Sequence, residues 1–196
     1  MNVPSDGVTT PAVSCEQLCA GYSGAPVLRQ VSFSVMPGEM VGVRGPNGAG
    51  KTTLFRVLTG LLHARSGSVT IFGKNLSRLP AAERARLIGV VPQEVESPMP
   101  FSVTEIVMMG RTALLNRWRA PAPEDEAAVE RAMGFVDVAH LRDRIFPELS
   151  GGEKQRVLIA MILAQAPRVV LLDEATSHLD LSHRIGILEL VERLNR

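Results

Sequence analysis

Three clusters of residues in this 196-residue chain have types and spacings suited to chemistry on a phosphate. The first is the run Gly45, Pro46, Asn47, Gly48, Ala49, Gly50, Lys51, Thr52 and Thr53. It fits the pattern of a glycine, any four residues, then Gly-Lys-Ser/Thr. Glycines let backbone amides turn inward around an anion. Lys51 would bring a point charge toward the β and γ oxygens of a triphosphate, and Thr52 would offer a hydroxyl to Mg²⁺. The second cluster is Ser150, Gly151 and Gly152 at the start of a long apolar run, where free amides and a serine hydroxyl would make another anion site. The third is Asp173 and Glu174 after "VVLL". The first of these carboxylates can hold Mg²⁺, often through water, and the second can take a proton from an attacking water.

Each cluster needs an element to aim it. The apolar stretch 40–43 reads as a strand leading into the glycine loop, and an amphipathic helix with Leu54, Val57, Leu58 and Leu61 on one face leads out. The acidic pair closes a continuous apolar run, as in a parallel strand covered on both faces, and such strands present functional groups at their carboxyl ends. The glycine pair opens a helix that runs to about Gln165 and is stopped by Pro167. This helix is apolar all round over 157–164, and so buried. Further strands are expected at 31–36, joined to 40–43 by a "PGE" turn, at 66–73, and in "LIGVVPQ" ending near Gln93. Helices are expected over about 104–115 and in "EDEAAVERAMGFV", whose leading acids suit the positive end of the helix dipole. The last segment, with Ile185, Leu188 and Val191, has an apolar stripe. The pattern is an α/β core bracketing a mostly helical insert, with residues 1–12 as a loose leader.

Composition narrows the partners. Lys plus Arg is 21 against 20 for Asp plus Glu, so there is no bulk positive field to hold nucleic acid, and phosphate affinity must be local. Cys15 and Cys19 would sit about 13 Å apart in a strand, beyond disulfide reach, and read as reduced core thiols. His178 and His183, five residues apart, lack a one-face metal-ligand spacing. The arginines around Trp118 read as a solvated face, and Met108 and Met109 as core or interface packing. The N-terminus shows no secretory pattern, and no apolar run nears the ~20 residues of a membrane helix, so a cytosolic protein is expected, reaching a membrane only through partners.

Taken together, the motifs resemble those of the nucleotide-binding subunits of ATP-binding cassette (ABC) transporters, over about residues 13–196. "GPNGAGKTT" is similar to the family's P-loop, "LSGGE" to its signature, "VVLLDE" to its magnesium and base strand, and "SHLD", ending at Asp180, to its D-loop. Gln93 matches the position that touches Mg²⁺ and water, and Tyr22 matches the aromatic that stacks on adenine. The resemblance implies a P-loop NTPase core with an antiparallel β subdomain and a helical subdomain, the core spanning 13–97 and 167–196 and the helical part 98–166. It implies ATP and Mg²⁺ as cofactors, with Thr52, Gln93 and Asp173 around the metal and Glu174 as base. Its mechanism implies a head-to-tail homodimer in which Ser150, Gly151 and Gly152 reach the partner's nucleotide. The dimer would work on the cytoplasmic face of a membrane with permease subunits and, indirectly, an external substrate-binding protein.

Two departures stand out. Ala175 takes the place of a proline, and the chain ends at Arg196, before the strand and histidine that the family places after its catalytic glutamate. A truncated chain is the expectation. "MMGR", the Trp-Arg segment and "TSHLDLSH" are most similar to ATPases of importers for iron chelates, haem or cobalamin. The alternatives are a soluble, non-transport ABC ATPase or a fragment that binds ATP without hydrolysis.

Overall fold

The computed structural model describes residues 10–91, 100–114 and 120–172, together with Gly186, Glu189, Leu190, Glu192 and Arg193. They form two compact units that divide between Pro80 and Ala81.

The first unit is an antiparallel sheet with one helix against it. Strands β1 (Val13–Ala20), β2 (Leu28–Val35), β3 (Ser66–Ile71) and β4 (Lys74–Asn75) lie in the order β2-β1-β3-β4. β1 is central, and its sidedness changes midway. Val13 and Cys15 are buried, then Leu18 and Ala20, with a register shift between Cys15 and Leu18 on the β2 ladder and between Glu16 and Cys19 on the β3 ladder. Gln17 has φ 46, so the extra residue of a bulge moves the buried set from odd to even positions. Opposite it stands Gly67, φ 81, where a Cβ would collide with the carbonyl oxygens of Glu16 and Gln17. Only glycine fits there.

The expected strand at 66–73 stops at Ile71 because Phe72 (φ 47) and Gly73 (φ 74) form a two-residue hairpin turn to β4. The strand expected at 31–36 is β2, and the turn after it is present: the amide of Glu39 donates to Met36 O at 3.1 Å, and Gly38 has φ 80. The expectation of a strand over 40–43 is corrected. Those residues join neither β2 nor β4, the two edges of this sheet, and Met40, Val41 and Val43 lie on the surface. An apolar run becomes a strand only where a neighbour completes its ladder.

Helix α1 (Lys51–Leu58) buries Thr53, Leu54, Val57 and Leu58 and packs on β1. It ends one turn earlier than its apolar stripe suggests. Gly60 has φ 73, and Leu61 is 79% exposed rather than on the buried face.

The second unit holds α2 (Ala81–Leu87), β5 (Ile88–Val91), α3 (Val103–Met109), α4 (Pro123–Phe135), α5 (Gly151–Gln165) and β6 (Val169–Leu172). β5 and β6 pair in parallel, Ile88 opposite Val169 and Val91 opposite Leu172. The helices between them form the core around α5, with Val157, Leu158, Ile159, Ala160, Ile162 and Ala164 buried against α3 and α4. The helix expected over 104–115 is α3 followed by a 3-10 turn at Gly110–Ala113. β6 is parallel as expected but not covered on both faces: α2 and α5 pack on β5, and Val170 is 41% exposed. Among the described residues no helix is long and apolar enough to cross a membrane.

Candidate phosphate and nucleotide site

The glycine loop has the geometry its sequence requires. Gly50 precedes α1 in the left-handed region (φ 95), and a Cβ there would lie 2.9 Å from Leu28 Cδ2 and 3.0 Å from Val27 Cγ1, so conformation and packing both demand glycine. Gly48 is also left-handed (φ 79), and the amide of Ala49 donates to Pro46 O at 3.2 Å. Residues 45–49 are exposed. The α1 N-terminus has no side-chain cap and no acidic residue in its first turn. Its amides and the positive end of its dipole therefore face the loop without a competing carboxylate.

Lys51 folds back over this concavity. Its Nζ donates to Gly45 O at 2.7 Å and Pro46 O at 3.1 Å, so the cation spans the loop and rests on two carbonyls that a phosphate oxygen can replace. Thr52 is exposed at the second helical position, with its hydroxyl open to a cation, whereas Thr53 is 5% exposed and belongs to the core. Of Thr53, the backbone amide is the part that can serve an anion. Among the described residues no three His, Cys, Asp or Glu cluster as a metal site. The donors expected for Mg²⁺, a hydroxyl, an amide oxygen and a carboxylate, are the hard oxygens that ion takes, and Thr52 fits that role. Gln93, Asp173, Glu174 and Asp180 lie outside the described residues, as do Trp118, Ala175, His178 and His183. The strands that lead to the first two end side by side, since Val91 pairs with Leu172 in a parallel ladder.

Tyr22 is 48% exposed in the connection between β1 and β2. Its hydroxyl accepts a bond from Arg56 Nη1 at 2.8 Å, and the Arg56 guanidinium carbon lies 5.7 Å from the ring centroid.

At the other glycine cluster one expectation is corrected. Ser150 is the N-cap of α5, but its hydroxyl is not free. It donates to Glu153 Oε2 at 2.6 Å, its backbone amide donates to the same oxygen at 2.8 Å, and Glu153 N donates back to Ser150 Oγ at 3.4 Å. This is a capping box, and the Ser150 hydroxyl beside Glu153 holds that carboxyl below the ordinary glutamate range, helped by the Ser150 amide. Gly151 is exposed and Gly152 buried, so one side of this helix start faces outward.

A family model described as ABC transporter matches residues 28–177. The chain belongs to this family. It is 41% identical over 184 residues to the ferric enterobactin transport ATP-binding protein of Escherichia coli (strain K12), covering 92% of this chain and 67% of that protein. It is 44% identical over 173 residues to the hemin import ATP-binding protein of Gloeobacter violaceus, covering 85% and 62%. Against an uncharacterized ABC transporter ATP-binding protein of Bacillus subtilis it covers 94% of its own length and 42% of the relative. Among solved structures, an inward-facing putative metal-chelate type ABC transporter matches with TM-score 0.83 at 33% identity over 95% of this chain and 68% of the other. An ATP-binding cassette in its ADP conformation matches with TM-score 0.86 at 27% identity, covering 95% and 78%. The expected fold, an ABC ATPase with its antiparallel sheet and helical part, and the expected nearness to iron-chelate, haem and cobalamin import ATPases therefore hold.

Within this ABC ATPase chain, sequence reasoning missed two kinds of residue. Glu153 was legible, since serine followed three residues later by glutamate is a capping box. The Arg56 contact to Tyr22 joins residues 34 apart, which no local pattern signals.

Proposed function

We propose that this chain is the ATP-binding and ATP-hydrolysing subunit of an ABC importer for an iron chelate, haem or cobalamin. The observation that carries the reading is Lys51 lying across an exposed, uncapped and acid-free helix start, in a chain whose relatives are named as import ATP-binding proteins. Lys51 exchanges the carbonyls of Gly45 and Pro46 for β and γ oxygens, and the amides of Gly48, Ala49, Gly50, Lys51, Thr52 and Thr53 surround the anion. Asn47 lies in the same loop, and Tyr22 stacks on the adenine. Thr52, Gln93 and Asp173 would hold Mg²⁺, which supplies charge neutralisation between the phosphates. Glu174 orients and deprotonates the attacking water.

Ser150, Gly151, Gly152 and Asp180 serve the nucleotide of a second subunit in a head-to-tail homodimer. Ser150 must then release Glu153 to reach a phosphate. Binding energy closes the pair and hydrolysis reopens it, with permease subunits and an external substrate-binding protein downstream, on the cytoplasmic face of the membrane. The core spans 13–97 and 167–196, and the helical subdomain 98–166.

Lys51→Ala should lose tight ATP binding in isothermal titration; retained affinity removes the cradle assignment. Glu174→Gln should keep binding while hydrolysis slows by roughly 10²-fold or more, the scale of a lost general base. Complexes recovered from detergent should contain a polytopic permease. Recovery with ribosomes or DNA alone would favour a soluble ABC ATPase.

A further inference from the structure

We infer that Arg65 and Arg56 are positioning residues that fix Tyr22 as a base platform at a set distance from the phosphate cradle; this rests on the reading of Tyr22 as the residue that stacks on the nucleobase. Tyr22 lies in a stretch with no regular structure. The base of that loop is closed by the amide of Val27 donating to Ala20 O at 2.8 Å, which fixes the ends and leaves the tyrosine between them.

Arg65 fixes the middle. It stands just before β3, where its own amide donates to Cys19 O at 2.8 Å, so its backbone is tied to the end of β1. From there its guanidinium donates through Nη1 to Gly24 O at 2.6 Å and through Nη2 to Tyr22 O. One planar fork thus grips two carbonyls of the same short loop, which sets the orientation of the loop as well as its distance from β3. A lysine ammonium could reach the same carbonyls, but its three rotatable donors on a flexible stem lack the planar fork that fixes the loop's orientation.

Arg56 relates the ring to the cradle. It belongs to α1, the helix that begins at Lys51, and the five-residue separation at 1.5 Å per residue places it about 8 Å along the axis. Its bond to the Tyr22 hydroxyl, with the guanidinium carbon 5.7 Å from the centroid, sets the cation toward the hydroxyl edge near the outer limit of cation–π range. The ring remains half-exposed for a base. The same helix that receives the phosphates therefore indexes the aromatic that receives the base.

The test compares the full chain's affinity for MgATP with that for inorganic triphosphate, which occupies the cradle and has no base, by isothermal titration. Arg65→Ala should weaken ATP roughly tenfold, the scale of one charge-assisted hydrogen bond, and leave triphosphate within about twofold. Arg65→Lys should recover part of the loss, and Arg56→Met should shift the ratio in the same direction. An unchanged ATP-to-triphosphate ratio in Arg65→Ala, or an equal loss for both ligands, overturns the positioning role. Tyr22→Ala separates the two readings. If it collapses the ratio while Arg65→Ala does not, the clamp alone is wrong; if it leaves the ratio intact, the platform and the clamp fall together.

Discussion

Cys15 and Cys19 share one strand and live in different environments. Four residues of unbroken strand would put both thiols on one face, and both were expected in the core. The bulge at Gln17 inverts the second half, so Cys15 is 2% exposed while Cys19 turns half-buried toward β2, where Gln30 N donates to its sulfur at 3.2 Å. Burial pushes the Cys15 thiol up to about 12, and the Ser66 hydroxyl together with the Gln30 amide draws Cys19 below its ordinary value. Thiolate is the reactive form, so a disulfide reagent at pH 8 should label one thiol of the native chain, and Cys19→Ser should leave none. Two equally fast thiols would contradict this placement. At the same scale, the glycine loop was legible outright because a chain reversal around an anion restricts residue type at fixed positions. The burial of Thr53 was not, because the motif says nothing of what α1 packs against.

Among the elements, α5 is the one whose sequence and structure agree most closely. Its all-apolar run called for burial from every side, and α3 and α4 supply it. Its start is more elaborate than expected, because Glu153 satisfies the Ser150 amide and hydroxyl that were assigned to a ligand. The depressed Glu153 carboxyl gives this cap a pH dependence. A group with a lowered folded value adds stability that is fully present above its unfolded value of about 4.3 and is lost as pH falls through the folded value. Melting temperature should therefore fall on acidification below about pH 5, and Glu153→Gln should show a shallower acid slope. Identical slopes for the two proteins would remove the cap from the acid response. Ser102 and Glu105 build the same box on α3, so the double variant Glu105→Gln/Glu153→Gln should be shallower still.

At the scale of the whole molecule, the acids opening α4 show what sequence patterning leaves out. Glu124, Asp125 and Glu126 were read as dipole partners, and the arginines near Trp118 as a solvated face. Asp125 is instead 5% exposed, accepts Ala122 N at 2.9 Å and takes Arg111 Nε at 2.9 Å, while Arg111 Nη1 donates to Ala164 O at 2.7 Å. One part-buried guanidinium joins the end of α3, the start of α4 and the last turn of α5. Arg111→Met should cost about 3–5 kcal/mol in urea unfolding, because a buried carboxylate loses its guanidinium, and Arg111→Met/Asp125→Leu should recover much of it. A loss below about 1 kcal/mol would make the staple a surface pair in energetic terms.

The sequence by itself determined what depends on local covalent chemistry: the phosphate loop, the two glycine-led helix starts, the parallel apolar strand before the acidic pair, and through their combination the family. Tertiary structure decided what depends on which surfaces meet. It ended the 66–73 strand in a turn and denied 40–43 a ladder. It also turned Cys19 away from the core, paired Arg111 with the buried Asp125, and brought Arg56 and Arg65 to Tyr22. Hydrogen-bond partners far apart along the chain are chosen by packing, and no periodicity in the residues between them records that choice.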